Sequence, residues 1–210
     1  MRNYGEFCAL ARALDVVGDR WTLLILRELA ARPCRFRDLS EGLPGIAANL
    51  LAERLRLLQA EGVITHDRAA TYRLTDRGKA LGPALKALVR WGVPLMASGR
   101  GQDEHRAHWL ALAISAVFED ATVKPAARIQ VLTDDGEIEI VAHRDGVEAR
   151  PGRAISPDAA LKGPDELILG VLTSELSLAD AENAGLSING SRPALRRLIS
   201  SRRWPAAPGP

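Results

Sequence analysis

A chain of 210 residues, 47% hydrophobic and 26% charged, has the make-up of an ordinary globular protein with room for one large domain or two small ones. No apolar run approaches the roughly 20 residues that span a bilayer. No uninterrupted apolar segment follows Arg2, and the two cysteines, Cys8 and Cys34, cannot make a disulfide framework; these features lead us to expect a cytoplasmic protein with no signal peptide and no membrane partner. The net charge of +2 is unevenly spread: residues 1–98 hold 15 basic against 10 acidic side chains (net +5), and residues 99–210 hold 13 against 16 (net −3). A basic half joined to an acidic half points to a polyanionic partner for the first half only.

In chain order, Leu10, Leu14 and Val17 recur at helical spacing and predict a helix over 7–17, ended by Gly18. Asp19 is placed to cap a second helix over 21–31, stopped by Pro33. A short third helix is expected over 36–41. After the turn Leu43-Pro44-Gly45 a fourth runs over 47–61, closed by Gly62. Two β-like segments, 63–66 and 71–74, flank a four-residue loop, and Thr75 caps a fifth helix continuing to about residue 91. Helices joined by a tight Pro-Gly turn and followed by a hairpin make the arrangement of a winged helix-turn-helix.

The fourth helix has the composition of a DNA-reading element. Leu51, Leu55 and Leu58 form an inward stripe, while Asn49, Glu53 and Arg56 fall on another side that Ala48 and Ala52 keep low. Asn can bond adenine and Arg guanine or phosphate; Glu53 can accept from cytosine or orient Arg54 or Arg56. A solvated amphipathic helix is the plainer alternative. Around it, Arg35 and Arg37 flank Phe36 where backbone phosphates would lie, and Arg68 sits at the hairpin tip.

These residues carry a family resemblance. Cys8, Gly18-Asp19-Arg20-Trp21-Thr22-Leu23-Leu24, Arg35-Phe36-Arg37-Asp38-Leu39, Leu43-Pro44-Gly45-Ile46, Leu51-Ala52-Glu53-Arg54-Leu55 and Tyr72-Arg73-Leu74-Thr75-Asp76-Arg77-Gly78 occur in an order that resembles the HxlR-type branch of the MarR-like winged-helix regulators over residues 5–95. The resemblance implies a homodimer paired through its outer helices, a fourth helix in the major groove, and control of nearby genes. It also implies, for some members, redox sensing through an N-terminal cysteine, the position that Cys8 matches. Independently, Leu10 and Leu14 on the first helix and Leu81, Leu85, Leu88 and Trp91 on the fifth exceed what one small core hides. They are expected at a dimer interface or under the second domain. Cys34, between Pro33 and Arg35, is expected to be the more exposed thiol.

Beyond a polar linker at 98–104 the pattern becomes α+β. A helix over 106–119 precedes strands at 128–133, 137–142 and 147–150, with turn signals at Asp134-Asp135-Gly136 and Asp145-Gly146 between them; helices at 164–172 and 177–183, a strand at 186–189 and a last helix at 193–201 follow. An antiparallel sheet is expected, and the tail 205–210 is too rich in Pro for helix or sheet. The stretches Ile155–Gly163, Leu167–Leu172, Leu176–Ala181 and Gly185–Gly190 resemble a sterol-carrier-type lipid-binding domain over about 105–204. That resemblance implies an apolar pocket, with Leu110, Ile114, Phe118, Ile168 and Leu172 as candidate lining. No phosphate loop, nucleophile elbow or metal-ligand cluster stands out, so neither a cofactor nor an enzymatic activity is expected.

The sequence thus divides into a winged helix-turn-helix over 1–97, a linker over 98–104, an α+β domain over 105–204 that is expected to bind an effector, and a tail over 205–210. The leading function is a dimeric regulator of double-stranded DNA, in the repressor sense, with a hydrophobic small-molecule effector. The alternatives are a redox-sensing repressor using Cys8 with a structural second domain, and a lipid carrier whose winged helix binds protein.

Overall fold

The computed structural model describes residues 4–67, 69–96, 99 and 101–203. Arg68 at the expected wing tip, Ser98 and Arg100 of the expected linker, and the tail 205–210 lie outside the described residues. The chain divides into two compact units, Met1–Leu85 and Lys86–Pro210.

The first unit comprises α1 (Ala9–Val17), α2 (Thr22–Ala31), β1 (Cys34–Arg35), α3 (Phe36–Gly42), α4 (Ala48–Ala60), β2 (Ile64–His66), β3 (Thr71–Leu74) and α5 (Asp76–Lys79). The Asp19 carboxylate accepts hydrogen bonds from the Trp21 and Thr22 amides at 2.9 and 3.2 Å, satisfying donors that the start of α2 leaves open. Ile25, Leu26 and Leu29 of α2, Leu39 of α3 and Leu51, Leu55 and Leu58 of α4 make the core, with Leu43 and Ile46 from the connecting turn. That turn is closed by Ile46 N–H donating to Leu43 O at 3.1 Å, with Gly45 at φ +84°. Pro followed by a residue of positive φ is the requirement of a type II turn, which only glycine meets without strain.

Sequence periodicity did not separate two features here. The sheet has three strands, ordered β1-β3-β2, because Cys34 and Arg35 pair antiparallel with Tyr72 and Thr71. The helix expected over 75–91 is two helices, α5 and α6 (Gly82–Gly92). Pro83 has no N–H to continue the ladder, and Gly82 precedes it, so the helix restarts there.

The second unit holds most of α6, a 3₁₀ turn at Val93–Met96, α7 (Ala107–Val117), β4 (Ala127–Thr133), β5 (Gly136–His143), β6 (Gly146–Pro151), β7 (Ala159–Lys162), α8 (Asp165–Thr173), α9 (Leu178–Asn183), β8 (Ser187–Gly190) and α10 (Arg192–Ser200). The strand order is β6-β5-β4-β7-β8. The sheet is mixed rather than antiparallel throughout: β7, unforeseen as a strand, runs parallel to β4, with Val131 opposite Leu161. Ala159-Ala160-Leu161-Lys162 has little β propensity of its own. Ladders on both sides hold it in place.

One sheet face is apolar. Ile129, Val131, Ile138, Ile140, Ala142, Val147 and Leu161 stand opposite one another across the strands and pack in one core with α7, α8 and α10. The other face carries Arg128, Gln130, Glu139 and Arg150. Here Glu139 is buried and accepts from the Arg150 guanidinium at 2.7 and 2.9 Å, with Arg128 Nη1 at 3.1 Å. The β6–β7 connection is tied to this face: Ala154 N–H donates to Gln130 Oε1 at 2.6 Å, and Arg128 N–H donates to Asp158 Oδ2 at 2.7 Å.

Candidate nucleic-acid interface

Helix α4 begins two residues after the turn closed at Ile46. Leu51, Leu55 and Leu58 lock it into the core, each 2% exposed or less. On its far side Ala48, Asn49, Glu53 and Arg56 are all exposed. Among the described residues Arg56 makes no ion pair. Arg35, at the N-terminal end of α3, is exposed too, and its backbone N–H is held by the Asp38 carboxylate at 2.8 Å. Arg37 lies two residues on, exposed, with its guanidinium 2.7 Å from Glu41. These residues share α3, α4 and the turn that joins them.

Arg54 is placed differently from its neighbours. It is half-buried, with Nε 3.5 Å from Asp19 Oδ1, so it joins α4 to the α1–α2 turn. Sequence reasoning grouped it with the groove-facing residues because its partner lies 35 positions earlier in the chain.

The hairpin β2–β3 also depends on a residue that the sequence reading passed over. Asp67 accepts from the Ala69 and Thr71 amides at 2.9 and 3.0 Å and from the Thr71 hydroxyl at 2.7 Å, and its carboxylate pairs with Arg73. These bonds, Thr71's foremost, hold the Asp67 carboxyl down to about 2. An aspartate entering a four-residue loop, with a threonine at its exit, was the available signal.

The two thiols exchange the exposures expected of them. Cys34 is buried, with Sγ 3.3 Å from Arg32 O, and burial pushes its thiol up to about 11, so it stays protonated at neutral pH. Position beside Pro33 gave no sign that β1 would draw it into the core. Cys8 is exposed, directly before α1. In the second unit Leu110, Ile114, Phe118, Ile168 and Leu172 come together in the core, none more than 5% exposed.

The comparisons with known proteins bear on the first unit and on the start of the second. A family model described as HxlR-like helix-turn-helix matches residues 16–99. An uncharacterized HTH-type transcriptional regulator of Bacillus subtilis, YvaP, is 35% identical over 96 residues, which are 42% of this chain and 89% of that protein. The chain belongs to the HxlR-like helix-turn-helix family. Another relative, the HTH-type regulator Rv3095 of Mycobacterium tuberculosis, is 40% identical over 90 residues, covering 40% of this chain and 56% of that protein. Among solved structures, the quinone-bound YodB of B. subtilis shares 31% identity over 41% of this chain and 97% of its own, with a TM-score of 0.39. This HxlR-like chain is thus related to helix-turn-helix transcriptional regulators through α2–α6, and strands β4–β8 lie beyond the matched residues.

Proposed function

We propose that this chain is a cytoplasmic repressor that binds a double-stranded operator as a homodimer, with α4 in the major groove. Asn49 and Arg56 face base edges, Ala48 allows close approach, and Glu53 orients Arg56 or accepts from cytosine. Arg35 and Arg37 meet phosphates. One observation carries the reading: α4 is anchored by three fully buried leucines while its opposite side presents Asn49 and Arg56 to solvent straight after a rigid turn. The Asn amide, with one donor and one acceptor, matches the adenine edge in the major groove, and the forked donors of Arg match the guanine edge. The dimer is supported by α1, which buries Ala11 alone and leaves Phe7 just before it and Leu10 within it exposed. Covering a large apolar side chain is worth about 1.5–3 kcal/mol. The experiment is fluorescence anisotropy of the full chain on its own upstream DNA and on a scrambled duplex, across salt. The proposal requires tighter binding to the upstream DNA; equal affinities would remove sequence reading.

A redox-switched variant of this reading is favoured by the exposure of Cys8 alone. Oxidation should then change DNA binding of the native chain and leave Cys8→Ser unaffected. For the second unit we propose hydrophobic effector binding among Leu110, Ile114, Phe118, Ile168 and Leu172. Their tight packing means that a ligand must part them, so a bound fatty acid should raise the melting temperature by mass action; a broad set of fatty acids without effect would leave these residues as plain core.

A further inference from the structure

The first unit contains a cavity of about 700 Å³, within the size range of small-molecule sites. Helix α4 supplies one wall through Glu53, Arg54, Leu57, Leu58 and Glu61; Tyr4, Leu14, Asp15, Val16 and the α1–α2 turn at Gly18 and Asp19 supply the other. Its carboxylates differ in how they are compensated. Asp19 is engaged by the Trp21 and Thr22 amides and by Arg54. Asp15 accepts from Tyr4 N–H at 3.1 Å and has Arg12 Nη1 at 3.6 Å. Among the described residues Glu53 and Glu61 have no cationic partner. They stand at i and i+8 with Leu57 between them at i+4, so two uncompensated negative charges flank an apolar side chain on one strip of helix. Leu14, Val16 and Tyr4 complete the apolar lining.

We propose that this cavity binds a hydrophobic organic cation, its apolar body against Leu14, Val16 and Leu57 and its charge at Glu61. An anion of the same shape meets repulsion from that carboxylate. Because one helix forms the cavity wall and, on the reading above, enters the groove, an occupied cavity alters the pose of α4 and with it the DNA affinity. That coupling rests on the proposed function; the binding itself does not.

Titration calorimetry on the full chain without DNA tests the site, using tetraphenylphosphonium and the like-shaped tetraphenylborate. The cation should bind at one site per chain and the borate should not. Glu61→Gln should weaken the cation by roughly tenfold, the loss expected for one charge several ångströms away in a partly solvated site. Glu61 lies at the C-terminal end of α4, where a negative charge opposes the helix dipole, so its removal does not threaten folding. No binding, equal binding of both ions, or an unchanged affinity in Glu61→Gln overturns the site. Anisotropy on operator DNA with and without the cation then tests the coupling: a changed affinity supports it, and unchanged DNA binding by a protein that holds the cation overturns the coupling while leaving the site. A chain that takes up the cation yet binds no DNA at all sinks the proposed function instead.

Discussion

Replacing Arg56 by alanine separates base reading from general charge. Arg56 is exposed on α4 and, among the described residues, engages no carboxylate, so its loss removes little from the folded chain; changes at such sites usually stay within about 0.5 kcal/mol. If the guanidinium reads a base in both fork positions, Arg56→Ala should cost about 1–3 kcal/mol on the specific site, roughly 5- to 150-fold in affinity, and much less on random DNA. If it meets only a phosphate, both duplexes should lose alike and the salt slope should fall by about 0.9 for that contact. Anisotropy at several salt concentrations distinguishes the two. Arg54→Ala is the internal comparison. Its partner is Asp19, 3.5 Å away, and it is half-buried, so its effect should appear in stability and only indirectly in binding. Unchanged affinity of Arg56→Ala for every duplex, with Arg54→Ala losing specific binding at full stability, would mean that the wrong side of α4 has been assigned to the groove.

Three further outcomes follow from the geometry. Gly78→Ala drives a Cβ into the Val63 carbonyl oxygen, which already accepts from Thr75, so denaturant unfolding should show a loss of about 1–3 kcal/mol; an unchanged midpoint would refute the close approach. Asp67, held at about 2 against an ordinary 3.8, should contribute stability that is fully present above about pH 4 and lost as pH falls through 2, because the unfolded chain takes up the proton first. Asp67→Asn should flatten that part of the pH–stability profile, and an identical acid limb in both proteins would count against the assignment. Leu10→Glu, on the exposed side of α1, should yield monomers by sedimentation without lowering the helix content; a persisting dimer would place the interface elsewhere.

Much of the first unit was legible because its cues are local. A leucine stripe of helical period, a Pro-Gly turn and a cap at Thr75 each act within a few residues, and the structure places α4 within one residue of its expected limits at either end. Long-range features escaped. The burial of Cys34 depends on pairing with Tyr72, 38 positions away, and Arg54 is turned from its neighbours by Asp19. In the second unit the hairpins were visible from Asp134-Asp135-Gly136 and Asp145-Gly146, whereas β7 was not. Its alanines carry no alternation, and its parallel pairing with β4 is set by a connection across the polar face that Gln130 and Arg128 hold by hydrogen bonds.

The organisation of α4 follows from a rotation of about 100° per residue. Leu51, Leu55 and Leu58 fall within one sector and meet the core; Asn49 and Arg56 fall nearly opposite; Arg54, Leu57 and Glu61 occupy the flank between, with Glu53 at its border. Arg54 and Arg56, two residues apart, consequently lie on different sides: Arg54 meets Asp19, and Arg56 faces solvent. Such a helix cannot shift at one sector without shifting at the others, since buried leucines transmit displacement rather than absorb it. A substitution on the flank, where Arg54 meets Asp19 and Leu57 borders the cavity, is therefore expected to act on binding through the pose of α4, and one at Arg56 through contact alone. Double substitution of Glu61 and Arg56 separates these routes: additive losses in DNA affinity require independent action, and a departure of more than about 0.5 kcal/mol from additivity requires that the flank and the groove side move together.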